Sequence, residues 1–320
     1  MQTKTFFCKG QWSFPINLPS EFTGVTQRGK LLREIPPPSG KMSNSLYQHF
    51  QDLSPVPEWT ADISYEILEP LRFKSVGAFS ESAFFHKKSK TLIITDAVVS
   101  VTKTPPKIIQ EDPRAMLFHA RDYNGEPVKD TIETREKGWK RMVQFGLVFF
   151  PSEIDVEPIS KAFSDAKNLD PQYYTLGDGA VPFNLYPWRW HEGNIDQMNF
   201  DVISKNGELF CPPILTKLIL DREPEKTLQW VDAVASRFDF ERIIPGHLNN
   251  NVMAGPKEFK SAFNVLKNDP KKGIMIKQRP LEKDLALLQK ASDILTDLNV
   301  VDASKICDGE GARTLGRFAN

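Results

Sequence analysis

Two short apolar runs, Ser82-Ala-Phe-Phe-His86 and Thr91-Leu-Ile-Ile-Thr-Asp96, flank the polar tetrapeptide Lys87-Lys-Ser-Lys90. Runs of that length and composition predict two buried strands joined by a tight turn. With the turn at Lys88-Ser89, antiparallel pairing sets Phe85 opposite Leu92, Ala83 opposite Ile94 and Glu81 opposite Asp96. Apolar residues then meet apolar residues, and two carboxylates face one another at the open end. Such a pair is unfavourable unless a cation, a shared proton or hydrogen-bond donors lie between them. The ribbon is read together with Phe240 to His247, where Arg242-Ile-Ile-Pro-Gly-His247 predicts a short strand running into a loop histidine.

Around this ribbon the chain is long enough, at 320 residues, for one large or two ordinary domains with a sizeable core. Lys and Arg number 41, and so do Asp and Glu, which removes any general electrostatic pull toward nucleic acid or anionic lipid. No nucleic-acid partner is expected. The longest apolar runs, such as Phe145 to Phe150, fall well short of the roughly 20 residues a spanning helix needs, so no membrane span is expected either. Cys8, Cys211 and Cys307 are odd in number and far apart, which indicates neither a disulfide framework nor a cysteine zinc cluster and fits a reducing compartment. The first ten residues lack a signal-peptide core and the Arg/Ser bias of a transit peptide.

In chain order, a strand is expected at Thr3 to Phe7, an ordered loop at Gln11 to Pro19, and a solvated Pro/Ser-rich excursion at Ile35 to Ser45. His49 follows, more simply a loop residue than a ligand. Trp59 to Leu71 reads as a strand. Pro105-Pro106 stops any strand continuing from Val98. Arg114 to His119 is a short helix in which His119 is a partly buried structural residue. Thr134 to Phe150 has helical spacing, with Trp139, Met142, Val143 and Leu147 on one face, and is expected to pack on the sheet.

Asn168 to Pro213 reads as a long connection, and its Tyr186-Pro-Trp-Arg-Trp-His191 cluster covers core more readily than it stacks a base or sugar. His191-Glu192 lacks the second histidine of a metalloprotease helix. Pro224 starts a helix presenting Leu228, Val231, Val234, Ala235 and Phe238. Two further helices are expected at Pro256 to Leu266 and Leu281 to Leu298. The second carries a stripe of Leu281, Leu285, Leu288, Ser292, Leu295 and Leu298, which is core or partner packing. The Gly-rich tail from Cys307 has no preceding strand, so a phosphate loop is not indicated.

The order strand, Thr91-Leu-Ile-Ile-Thr-Asp96, later helix, Ile243-Ile-Pro-Gly-His247 is similar to the second half of the metallo-β-lactamase superfamily. More specifically, Gln11 to Pro19, Ala83 to Ala97, Leu209-Phe-Cys-Pro-Pro-Ile-Leu215 and Trp230 to His247 resemble the plastid and cyanobacterial family called domain of unknown function 4336. The resemblance implies an α/β fold: a metallo-β-lactamase-like αββα sandwich over 1–267, incomplete in its N-terminal half, with a helical C-terminal extension over 268–320. It also implies a plastid location. Asp96 then stands where the superfamily has a metal-bridging aspartate, and His247 where it has a last histidine ligand. The sequence departs from that pattern in two places. It contains no His-x-His-x-Asp-His cluster, and Ala78 stands where a further histidine ligand would be.

Zinc needs three or four N, O or S ligands at about 2.0 to 2.3 Å. Asp96 and His247 supply two. His86 lies about five strand positions from the residue facing Asp96, about 16 Å away, so Glu81 is the better third ligand. A mononuclear Asp96/Glu81/His247 site holding zinc, iron or manganese would make the chain a metal-dependent hydrolase of an ester, thioester or phosphodiester. The favoured expectation is that Asp96 and His247 hydrogen-bond each other, Glu81 faces solvent and no cofactor is held. The protein is then a non-catalytic binding or scaffold module, with the last helix as a surface for a protein partner.

Overall fold

The computed structural model describes residues 4–7, 31–35, 57–74, 77–170, 185–193, 195–268 and 282–306. The expectations for Gln11 to Pro19, 36–45, His49 and the tail from Cys307 lie outside them. The described strands are β1 (Lys4–Phe7), β2 (Leu31–Glu34), β3 (Ile63–Ile67), β4 (Leu71–Arg72), β5 (Ala78–Phe79), β6 (Ser82–His86), β7 (Thr91–Ile94), β8 (Ile154–Val156), β9 (Trp188–Trp190) and β10 (Arg242–Pro245). The described helices are α1 (Lys107–Glu111), α2 (Arg114–His119), α3 (Ile132–Val148), α4 (Ile159–Asn168), α5 (Ile195–Ser204), α6 (Pro213–Leu218), α7 (Pro224–Arg237), α8 (Pro256–Ala262) and α9 (Glu282–Asp297). The protein is mixed α/β and divides into two units, one of Met1–Val99, Leu209–Lys277 and Gln289–Asn320, the other of Ser100–Glu208 and Gln278–Leu288.

The first unit is built on a four-stranded sheet of order β10-β7-β6-β3. The hairpin takes the register expected from its sequence, with Phe84 opposite Ile93, Phe85 opposite Leu92 and His86 opposite Thr91. β3 adds antiparallel to β6, and β10 adds parallel to β7, with Ile243 beside Leu92 and Pro245 beside Ile94. Alternation sends Ala83, Phe85, Leu92, Ile94 and Ile243 to one face, all nearly inaccessible. There they join Trp230, Val231 and Val234 of α7, Phe259 of α8 and Phe263 just after it in one core, with Phe85 stacked on Phe238 at 5.1 Å. The opposite face carries Trp59, Tyr65 and Phe84 edge to edge. Trp59 lies in a 3₁₀ turn over Glu58–Ala61, so the strand expected from Trp59 to Leu71 is a turn followed by β3 and β4. The remaining described sheets each have two strands, β1-β2, β4-β5 and β8-β9.

A second feature of this unit is a buried charged cluster. Lys217, Asp221 and Arg222 are 3%, 2% and 3% exposed, and the Arg222 guanidinium donates to Ser292 Oγ at 2.5 Å. Burial pushes the Asp221 carboxyl up to about 6 from 3.8, against the opposing pull of Arg222. A carboxyl raised on folding contributes stability that is complete below its unfolded pKa and is lost as the pH climbs through its folded one. A displacement from 3.8 to about 6 corresponds to about 3 kcal/mol. Asp221→Asn is therefore expected to gain up to that much relative to the parent between pH 4 and 7 in urea titrations. Parallel pH curves for the two proteins would show that Asp221 is not so buried.

In the second unit, α3 packs against α2 and α5, and the sheet it lies on is the small β8–β9 pair, which it meets through Phe145 against Trp188 and Trp190. The helix itself is as expected, opened by a Thr131–Thr134 capping box and burying Trp139, Val143 and Leu147. Its approach to α2 is permitted by Gly138, whose missing side chain faces the Met116 carbonyl. The stretch read as one long connection is a correction, because it contains β9 and α5. β9 pairs with β8, Ile154 opposite Trp190 and Val156 opposite Trp188. Its aromatics pack as core. Tyr186 Oη donates to the Arg121 carbonyl at 2.7 Å and accepts from Trp190 Nε1 at 2.8 Å, and the Arg141 guanidinium lies 4.3 Å from the Trp190 ring. His119 lodges between Phe118 and Phe145, and burial lowers its pKa to about 4.

Candidate functional site

The parallel pairing of β10 with β7 brings the expected site residues to one end of the sheet. Because Pro245 pairs with Ile94, the next two residues on each strand also run side by side, Gly246 beside Thr95 and His247 beside Asp96. The Gly246 amide donates to the Thr95 carbonyl at 3.0 Å. A Cβ at residue 246 would lie 3.1 Å from that same oxygen, which explains the glycine between proline and histidine. His247 Nε2 lies 2.7 Å from Asp96 Oδ1, with the two side chains 65% and 47% exposed. The pair is open to solvent, as an exposed carboxylate–imidazole contact of the surface kind.

Glu81 has a different environment. It is 1% exposed, which corrects the expectation that it faces solvent. One oxygen, Oε1, accepts from the Ser82 amide at 2.9 Å, the Thr95 hydroxyl at 2.5 Å and, more weakly, the Thr95 amide at 3.4 Å. The other, Oε2, accepts from the amides of Asp96 at 2.8 Å and Ala97 at 3.1 Å. The carboxyl thus caps the end of β7, where the ladder stops and backbone donors would otherwise be orphaned. Burial is the largest influence on its pKa and raises it; the Thr95 hydroxyl and the Asp96 and Ser82 amides pull the other way, and the Asp96 charge adds a further rise. Of the three ways in which facing carboxylates can be reconciled, hydrogen-bond donors are supplied here by Ser82, Thr95, Asp96 and Ala97.

The structure thus brings Asp96, His247 and Glu81 to neighbouring positions but aims their side chains at different targets. Asp96 and His247 meet each other, while Glu81 points into the backbone of residues 95–97. Among the described residues, no group of three or more His, Cys, Asp or Glu is arranged to hold a metal ion. Thr95 is the participant the sequence did not flag. Its signal is its place one residue before Asp96, where the hairpin register already put Glu81 within reach.

His191 sits in a comparable but separate environment in the second unit, 3.5 Å from Glu153 Oε2 and 3.2 Å from Asp155 Oδ2. Asp155 is 73% exposed and Glu153 6%, so the imidazole lies between a surface carboxylate and a buried one.

No helix of the described residues is long and apolar enough to cross a membrane. No curated protein and no solved structure matches the chain. A family model described as "Domain of unknown function (DUF4336)" matches residues 1–265. Its span takes in β6, β7 and β10 together with Glu81, Asp96 and His247, and the chain belongs to that family.

Proposed function

We propose that this protein is a non-catalytic binding or scaffold module built on a metallo-β-lactamase-like scaffold that has lost its metal-gripping groups. The observation that carries the reading is the use of Glu81: both of its oxygens are taken by donors of residues 82 and 95–97. Among the described residues, a cation at Asp96 and His247 would find no third protein ligand unless Glu81 gave up those donors. Freeing that carboxyl would leave the Ser82 and Ala97 amides buried without an acceptor, at about 1–3 kcal/mol each. Asp96 and His247 are, among the described residues, two ligands where a closed zinc, iron or manganese centre needs at least three. Ala78 at the position of a further histidine, and the absence from the sequence of a His-x-His-x-Asp-His cluster, support the same reading.

The test is metal analysis of the full chain after loading with zinc, iron or manganese, alongside His247→Ala. No stoichiometric ion is expected in either protein. The substitution is expected to cost less than about 1 kcal/mol, the range of an exposed ion pair. A stoichiometric ion in the parent that is lost in His247→Ala and in Asp96→Ala would overturn the proposal in favour of a mononuclear hydrolase.

A further inference from the structure

Helix α9 buries one face and leaves another bare. Asp284, Leu288 and Ser292 are 0%, 2% and 1% exposed, so the stripe expected from the sequence is the inward one over that stretch. Leu287, Ile294 and Leu298 are 42%, 49% and 68% exposed. Leu298 follows the last turn but keeps its helical bond, its amide donating to the Ile294 carbonyl at 2.9 Å. At about 100° per residue, Leu287, Ala291, Ile294 and Leu298 fall within about 60° of one another, a continuous apolar strip beside the buried face. Their spacing of four, three and four is that of successive d and a positions in a coiled-coil seam. Lys290 and Asp297, both exposed, occupy equivalent positions along its solvent flank.

We infer that this strip is a self-association surface, on which α9 of a second copy of the chain packs antiparallel about a two-fold axis. The sequence of the strip is complementary to itself only in that direction. Leu287 meets Leu298 of the second copy, Ala291 meets Ile294, and Lys290 meets Asp297, each contact occurring twice by symmetry. Large faces small in the central layer and opposite charges face each other at the rim. A parallel arrangement would stack Ala291 on Ala291, leaving a void, and would not bring Lys290 to Asp297. Four residues a side bury less than the roughly 1,200 Å² of a standard interface, so the dimer is a weak, concentration-dependent one.

Sedimentation equilibrium of the full chain over a concentration series tests this. The mass is expected to climb from 36.4 kDa toward twice that value with concentration. Ile294→Lys, which changes only an exposed position, is expected to hold the protein at the monomer mass throughout. Lys290→Asp alone sets like charges together twice and is expected to weaken association about fivefold to tenfold; adding Asp297→Lys to it is expected to restore the parental affinity. A monomer at every concentration overturns the inference. So does a dimer indifferent to Ile294→Lys, which would point to another face, such as the exposed Met198 and Val202 of α5. A dimer that the double charge exchange fails to restore overturns the antiparallel arrangement.

Discussion

Gly138→Ala is expected to destabilise the second unit by about 4 kcal/mol or more, a large share of the roughly 5–15 kcal/mol that holds a typical domain folded. An ideal Cβ at residue 138 would lie 1.8 Å from the Met116 carbonyl oxygen, 2.5 Å from its carbon and 2.9 Å from the Met116 Cα. All three are backbone atoms, so no side chain can swing aside. The helices would have to part, although Met116, Trp139 and Val143, which hold them together, are completely buried. Alanine is the better helix former by about 1 kcal/mol, but that gain is several times smaller than the clash. Gly146 lies on the same helix with nothing within 4 Å of its ideal Cβ, and Gly146→Ala is expected to stabilise by up to about 1 kcal/mol. Urea unfolding of the two variants side by side reads helix propensity in one and helix contact in the other. Equal, small gains in both would mean that α2 and α3 do not meet at this glycine.

That contact also marks a limit of what a sequence discloses. The 3.6-residue recurrence of Trp139, Val143 and Leu147 reveals that α3 has an inward face, but periodicity is silent on what the face meets. Only the glycine hints at a close neighbour, and a helical glycine has several other uses. The hairpin is the opposite case. Period-two alternation and a four-residue polar turn fix which residues of β6 and β7 are partners, and slipping the register by one would turn Phe85 and Leu92 to the wrong face. The meeting of Asp96 with His247 was expected from the family resemblance alone, because no residue pattern in the sequence showed that β10 pairs parallel to β7. The direction of the Glu81 side chain was not legible either, because its partners are amides, which every residue carries and no sequence pattern distinguishes. β9 was missed for a simpler reason: three residues between Pro187 and His191 are too few for a period to show.

Glu81→Ala is expected to cost about 3 kcal/mol and to dismantle the Asp96–His247 contact as well. Removing the carboxyl leaves the Ser82 and Ala97 amides buried without their acceptor, each worth about 1–3 kcal/mol, whereas Thr95, exposed, recovers its bonds from water. Set against this loss is relief of the burial that raises the Glu81 pKa, which keeps the net figure below the sum of the orphaned donors. Glu81→Gln keeps the volume and one acceptor oxygen but turns an NH₂ toward backbone N–H groups, and is expected to fall between parent and alanine. The decisive reading is local. If the Glu81 carboxyl holds residues 95–97 in place, Asp96 moves away from His247 in both variants, and the His247 ring resonances in an NMR pH titration shift toward those of Asp96→Ala. If they stay with the parent while stability drops, Glu81 supports the core alone, and the end of β7 is positioned by its pairing with β10.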